Sequence, residues 1–215
     1  MTQEEFINTL GNLAVAESNR RIASGSKYVL PSVCIGMSAL ETGYGSSDLM
    51  VKANAFFGIK AGGSWTGKSF SAETKEVYNG VEHNIVANFR AYDSLADSVA
   101  DYYDLIINAS RYANALSTYP NDIKTAEETL LAIWHGGYAT DELYDTKVMP
   151  IINNVLEWDS KVDGKTFDPN YTWTGGTSSG GTGGADNSII VDGDGVTITG
   201  HKITYAFKKV KRIEL

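Results

Sequence analysis

Glu41 has the setting best suited to acid chemistry in this sequence. It follows Met37 by four positions and Cys34 by seven, so a helix carrying all three places them on one face. That face is apolar and is expected to be mostly buried. Burial disfavours a charged carboxylate and raises its pKa. A carboxylic acid still protonated near neutral pH is what a general acid needs to cleave a glycosidic bond. Thr42-Gly43-Tyr44-Gly45 follows directly. Its glycines end a helix and let a polymer come close to the backbone. The same Glu41 can also be read as a solvated side chain at a helix C-terminus. A negative charge there opposes the helix dipole, a local misfit of the sort expected at functional sites.

Other reactive groups offer less. His83, His135 and His201 lie far apart and show no metal-ligand spacing, so no metal and no cofactor is expected. His135 precedes Gly136-Gly137, but no Ser or Cys nucleophile lies near it. Cys34 is the single cysteine, which excludes an intrachain disulfide; its apolar surroundings read as a buried, inert thiol. Net charge is −8, which disfavours nucleic acid and anionic membranes. The basic exception is the end of the chain, with Lys208, Lys209, Lys211 and Arg212. No apolar run approaches the ~20 residues needed to span a bilayer. The acidic start, Met1-Thr2-Gln3-Glu4-Glu5, does not resemble a signal peptide. A cytosolic chain, a trimmed one or delivery by another route would each account for that.

A helix must present Glu41, and the local residues favour one. Pro31 suits a first helical position, Val33, Cys34, Met37 and Leu40 recur at inward spacing, and Gly43 stops it. An earlier helix is expected over residues 2–23. Thr2 can cap it with Glu5 three residues on, and Phe6, Leu10 and Leu13 share a face. Residues 60–90 lose the helical period and read as a small β region, with Asn79-Gly80 as its hairpin turn. Helical periodicity returns over residues 94–107, 123–134 and 141–158. Helices around a β insertion predict an α+β fold, a helical body with a small β lobe.

Composition divides the chain further. Residues 1–173 are rich in apolar and aromatic side chains and read as one domain. Residues 174–187 are nearly all Gly, Ser and Thr and read as a flexible linker. In residues 188–215, Ile189, Val191, Val196, Ile198, Ile203, Tyr205, Phe207 and Val210 suggest period-two strands, with Asp192-Gly193-Asp194-Gly195 as a turn. That stretch is too short for a core of its own. It is expected to begin a further module or to pair with a neighbouring chain.

Several segments together resemble one family. Ser38-Ala39-Leu40-Glu41-Thr42-Gly43-Tyr44-Gly45-Ser46-Ser47 is similar to the active-site signature of glucosaminidase domains, glycoside hydrolase family 73. That family includes bacterial autolysins, flagellar rod-associated hydrolases and phage cell-wall lysins. Ala53-Asn54-Ala55-Phe56-Phe57-Gly58-Ile59-Lys60, Thr74-Lys75-Glu76-Val77-Tyr78-Asn79-Gly80, Phe89-Arg90-Ala91-Tyr92-Asp93-Ser94 and Gly136-Gly137-Tyr138-Ala139-Thr140-Asp141 resemble further family motifs in the family's order. Each is weak alone; the ordered set is specific and covers the first domain but not the tail.

The resemblance implies a lysozyme-like fold whose helical and β lobes flank a groove. It implies an endo-β-N-acetylglucosaminidase acting on peptidoglycan between N-acetylglucosamine and N-acetylmuramic acid, with Glu41 as general acid. Glu76 matches the β-lobe residue that activates water; Glu73 is the alternative and faces oppositely in a strand. An inverting route needs carboxyl groups roughly 6.5–9.5 Å apart. The sugar's 2-acetamido group can replace the second carboxylate. Tyr138 matches a tyrosine lining the site. Phe57, Trp65 and Tyr92 are candidate stacking faces for sugars, and Asn54 and Arg90 candidate polar contacts; core packing, a turn cap and an ion pair are their structural alternatives. A lytic transglycosylase, a muramidase and a non-catalytic glycan-binding or phage-tail module are the competing readings. The implied partner is the peptidoglycan strand at the bacterial cell wall, reached by secretion or on a virion, with the tail serving self-association or attachment.

Overall fold

The structure is a computed structural model. It describes residues 1–78, 81–163, 171, 173, 175, 188–192 and 195–199, with side chains for 1–74, 83–163, 171, 173 and 175. Its first compact unit runs Met1–Thr177 and its second Ser178–Leu215.

Helix α1, Gln3–Ala23, begins as its residues suggest. The Glu5 amide donates to Thr2 Oγ1 at 3.1 Å, and the Thr2 amide donates to Glu5 Oε2 at 2.7 Å. This reciprocal pair satisfies two otherwise orphaned donors. Phe6, Leu10 and Ala14 reach the core, while Leu13 is only half-buried at its edge.

Helix α2, Pro31–Thr42, is buried at every position from Pro31 to Ala39. A helix apolar all round belongs inside the body. Its N-terminus has no capping side chain of its own, because Leu30 precedes it. Asp163 fills that role from the far end of the domain. Its Oδ1 accepts from the Ser32 amide at 2.8 Å and its Oδ2 from Ser32 Oγ at 2.7 Å. The carboxylate also suits the positive end of the helix dipole. Gly43 ends α2 in the left-handed region at φ 54°. Inside the helix, a Cβ on Gly36 would lie 2.5 Å from Ile152, so this glycine lets a later helix press close.

A short helix that the sequence reading did not foresee, α3, Asp48–Ala53, follows, capped by Ser47 Oγ. The β region is then an antiparallel ribbon of β1, Ser69–Tyr78, and β2, Val81–Arg90, with Ser69 opposite Arg90 and Tyr78 opposite Val81. The expected turn residues Asn79 and Gly80 lie outside the described residues. Residues 59–61 pin the ribbon's base: the Arg90 amide donates to Ile59 O and the Ala61 amide to Asn88 O, both at 2.8 Å.

The remaining helices are α4, Leu95–Asn108, α5, Ala126–His135, and α6, Tyr144–Trp158, with a 3-10 turn at Ser110–Ala115 that periodicity did not reveal. Helix α4 starts at a Ser94/Asp97 capping box and α5 at a Thr125/Glu128 box. Helix α6 starts later than residue 141 because Asp141 folds the chain into a turn. Its Oδ1 accepts from the Leu143 amide at 3.0 Å and its carbonyl from the Tyr144 amide at 3.2 Å. One core joins all of these helices, and Trp173 joins it too, donating from Nε1 to Asn8 Oδ1 at 3.0 Å. The domain is therefore α+β.

In the second unit, β3, Ser188–Asp192, pairs antiparallel with β4, Gly195–Thr199. Gly193-Asp194 in the expected turn, the linker apart from Gly175, the strand residues Ile203, Tyr205, Phe207 and Val210, and the basic chain end lie outside the described residues. Among the described residues, no helix is long and apolar enough to cross a membrane.

Candidate active site

A groove of about 750 Å³ opens where the end of α2 meets the base of the ribbon, the 3-10 turn and the segment leading into α6. Leu40 and Glu41 supply its α2 wall, Ile59, Lys60 and Arg90 its ribbon wall, and Tyr138, Asp141, Tyr144 and Lys147 the wall opposite. The inward pattern read from α2 holds for Val33, Cys34 and Met37, all fully buried. Leu40 departs from it and lines the groove, half-buried.

Glu41 also departs from it, because its side chain remains solvent-exposed rather than buried with Met37. The groove gives it a different kind of desolvation. Protein on several sides removes part of the water around the carboxyl while leaving one side open. That loss of hydration raises its pKa, and a hydrogen bond from Tyr144 works in the opposite direction. Tyr144 Oη donates to Glu41 Oε1 at 3.1 Å, and the phenol belongs to a residue only 3% exposed. The result is an acid that holds its proton more tightly than a free carboxyl yet faces open space.

Tyr138 is half-buried in the same wall, its ring 6.2 Å from that of Tyr144 and 6.4 Å from that of Tyr102. Burial, then the nearby Glu41 charge, holds its phenol protonated well above the usual range. It can therefore donate a hydrogen bond and cannot act as a base. Asp141, the other groove carboxylate among the described side chains, is paired with Lys147. That pair and the Leu143 amide lower the Asp141 pKa despite some burial. Asp141 thus favours its ionised form and is already partnered.

The other residues singled out by sequence scatter. Phe57 is fully buried and stacks on Tyr102 with centroids 3.9 Å apart, so it is core and offers no face to a sugar. Tyr92 is buried and donates its hydroxyl to Asp101 at 2.7 Å. Trp65 is half-buried, with the Arg90 guanidinium 4.6 Å from its ring centre. Trp65 and Tyr92 border a separate hollow of about 500 Å³ beside Lys68, Asp93 and Asp97, away from Glu41. Asn54 takes the left-handed position that ends α3, and its Nδ2 donates to Tyr92 O at 3.1 Å, a structural use. Arg90 does reach the groove, but Asp101 holds it at 2.8 Å. Glu76 sits opposite His83 in the ribbon register; its side chain lies outside those described. Glu73, opposite Val86, is exposed on the ribbon and does not line the groove. His135 is exposed and stacked on Trp134, and Cys34 is fully buried, with its thiol pKa raised by desolvation.

Tyr144 and Lys147 are groove residues that sequence reasoning passed over, and Asp141 entered it only as the end of a motif. Their spacing of three was visible in a stretch expected to be helical. Nothing local indicated that this face would meet the end of α2.

The family model described as mannosyl-glycoprotein endo-β-N-acetylglucosaminidase, of the glucosaminidase family, matches residues 19–157. The chain is 31% identical to the exo-glucosaminidase LytG of Bacillus subtilis, covering 70% of this chain and 50% of that protein. It is 32% identical to the peptidoglycan hydrolase FlgJ of Salmonella typhimurium, covering 70% of this chain and 47% of that one. Thus the chain spans about half the length of these curated relatives. Its structure resembles the catalytic domain of the autolysin Auto of Listeria monocytogenes, with a TM-score of 0.58 and 30% identity over 70% of this chain and 82% of that one.

Proposed function

We propose that this chain, which belongs to the glucosaminidase family, is a peptidoglycan hydrolase that cleaves glycan strands internally at the β-1,4 bond following N-acetylglucosamine. The observation that carries this is Glu41, an acid of raised pKa at the end of a buried helix, in a groove open enough to admit a polymer. Glu41 donates its proton to the departing glycosidic oxygen, which weakens the bond as positive charge develops on the sugar ring. The resulting Glu41 carboxylate receives the Tyr144 hydrogen bond. Tyr138, a donor at the groove's far wall, is suited to the acetamido group.

The other half of the reaction has two candidate sources. Asp141 is committed to Lys147, which argues against it. Glu76 on the ribbon can activate water if it reaches across the groove, or the substrate's own acetamido oxygen can attack. The names of the relatives support a wall glycan as substrate, and the place of action is then the bacterial cell wall. Delivery by secretion or on a virion, with residues 188–215 attaching the enzyme or joining copies, completes the proposal.

Digestion of purified cell walls tests it. The expected products end in reducing N-acetylglucosamine and span several disaccharides. Reducing N-acetylmuramic acid would make the enzyme a muramidase, anhydro ends a lytic transglycosylase, and release of single sugars from chain ends an exo-enzyme. Walls left intact by wild type and Glu41→Gln alike would favour a binding module.

A further inference from the structure

We propose that Tyr144 is a positioning residue, holding the Glu41 carboxyl through Oε1 so that Oε2 is the oxygen that carries and delivers the proton. This rests on the reading of Glu41 as the acid and adds to it the group that orients it.

Tyr144 Oη lies 3.1 Å from Glu41 Oε1, and no other hydrogen bond reaches this carboxyl among the described residues. Burial keeps the Tyr144 phenol protonated, and toward the Glu41 carboxylate, which can only accept, it is the donor. A bond donated to one carboxyl oxygen leaves the other as the site for the proton. Rotation about the last torsion of a glutamate is otherwise soft. The bond removes that freedom before substrate arrives, which is how preorganisation lowers a barrier.

The frame that holds the phenol is equally specific. Tyr144 is the first residue of α6, 3% exposed, with its amide on Asp141 O at 3.2 Å. Farther along the same pair of helices, Gly36 lets Ile152 of α6 close onto α2, leaving no room for a Cβ at 2.5 Å. Both partners of the hydrogen bond are thereby carried on helices locked to each other five residues from Glu41. The charged and titratable groups that line the groove with Glu41 and Tyr144 are Lys60, Arg90, Arg111, Tyr112, Tyr138, Asp141 and Lys147. Arg90, Asp141 and Lys147 are in ion pairs, and Arg111 lies over the Tyr112 ring.

The test is Tyr144→Phe in the full chain, read in two independent ways. The first follows the Glu41 side-chain carboxyl by carbon NMR across pH, with Glu41→Gln assigning the signal. Loss of a donor to the charged form is expected to raise its midpoint by roughly one pH unit. The second follows cleavage of cell walls: kcat is expected to fall roughly tenfold with KM nearly unchanged, and the alkaline limb of the rate profile to move up with the NMR midpoint. Tyr144→His, which retains a donor on a ring, is expected to recover part of the rate. An unmoved midpoint overturns the inference whether or not the enzyme cuts walls. A moved midpoint with unchanged kcat overturns the orienting role. Failure of the glycosidase reading shows separately, as wild type without wall-cleaving activity.

Discussion

Two parts of this domain carry carboxylates that a glycosidase can use, and they are built differently. Helix α2 brings Glu41 to the groove from a segment buried residue after residue, clamped by Asp163 at its start and by α6 along its length. The β1–β2 ribbon carries Glu73 and Glu76 on a two-stranded structure in which no described side chain from 69–74 or 83–88 is buried. Val86 is 69% exposed there. Two strands alone are marginal in water, so this ribbon depends on its base. Phe89 is buried, Arg90 pairs with Asp101, and residues 59–61 add backbone bonds. The contrast separates a group carried on a packed helix from groups whose position depends on the ribbon's anchorage. If Glu41 is the acid, as proposed, it is held before substrate arrives, and its partner comes from the ribbon or from the substrate itself.

That contrast can be broken at several points. The largest effect belongs to Glu41→Gln, expected to lower wall cleavage roughly 10²–10⁴-fold while leaving the fold intact, measured as release of reducing ends. Its pH signature follows from the raised pKa. Only the protonated form donates, so wild-type activity persists as pH rises past the ordinary carboxyl value of 4.5 and falls through Glu41's higher midpoint. Next comes the ribbon. Glu76→Gln is expected to cost about tenfold or more if water is activated from there, and Glu73→Gln far less. Reversal of that order exchanges the two assignments, and two active variants assign the step to the acetamido group.

A smaller effect, on stability rather than rate, is expected of Asp163→Ala. Removing the buried cap of α2 should cost about 2 kcal/mol. Calorimetry should show Tm lower by roughly 4–8 °C, with the rate per folded molecule unchanged. Smallest of all is Val86→Thr on the exposed ribbon, expected to change stability by no more than about 0.5 kcal/mol in chemical denaturation. A large loss there would mean that the ribbon is covered in the working protein.

Much of the frame was legible locally. The Thr2/Glu5 box, Pro31 before an apolar run, Gly43 after it and the change of period near residue 60 each specify structure through neighbours a few positions away. The aromatic candidates were not legible. Phe57 and Tyr92 have the side chains a sugar platform needs, but adjacent residues in a loop do not reveal which ring turns inward. The glycines around Tyr138 marked a segment near the groove, while Tyr144, farther along, carries the contact to Glu41.

The sequence by itself determined where α1 and α2 begin and where α2 ends, that Glu41 would stand at a helix terminus, and that residues 60–90 would leave the helical body. Only the tertiary structure decided that Glu41 would be walled rather than buried, that Tyr144 from 103 positions away would hold it, and that Asp163 from 131 positions beyond Ser32 would cap its helix. The physical reason is range. Capping and periodicity act within a turn or two of chain, whereas desolvation and hydrogen bonds at a site depend on which distant surfaces packing brings together.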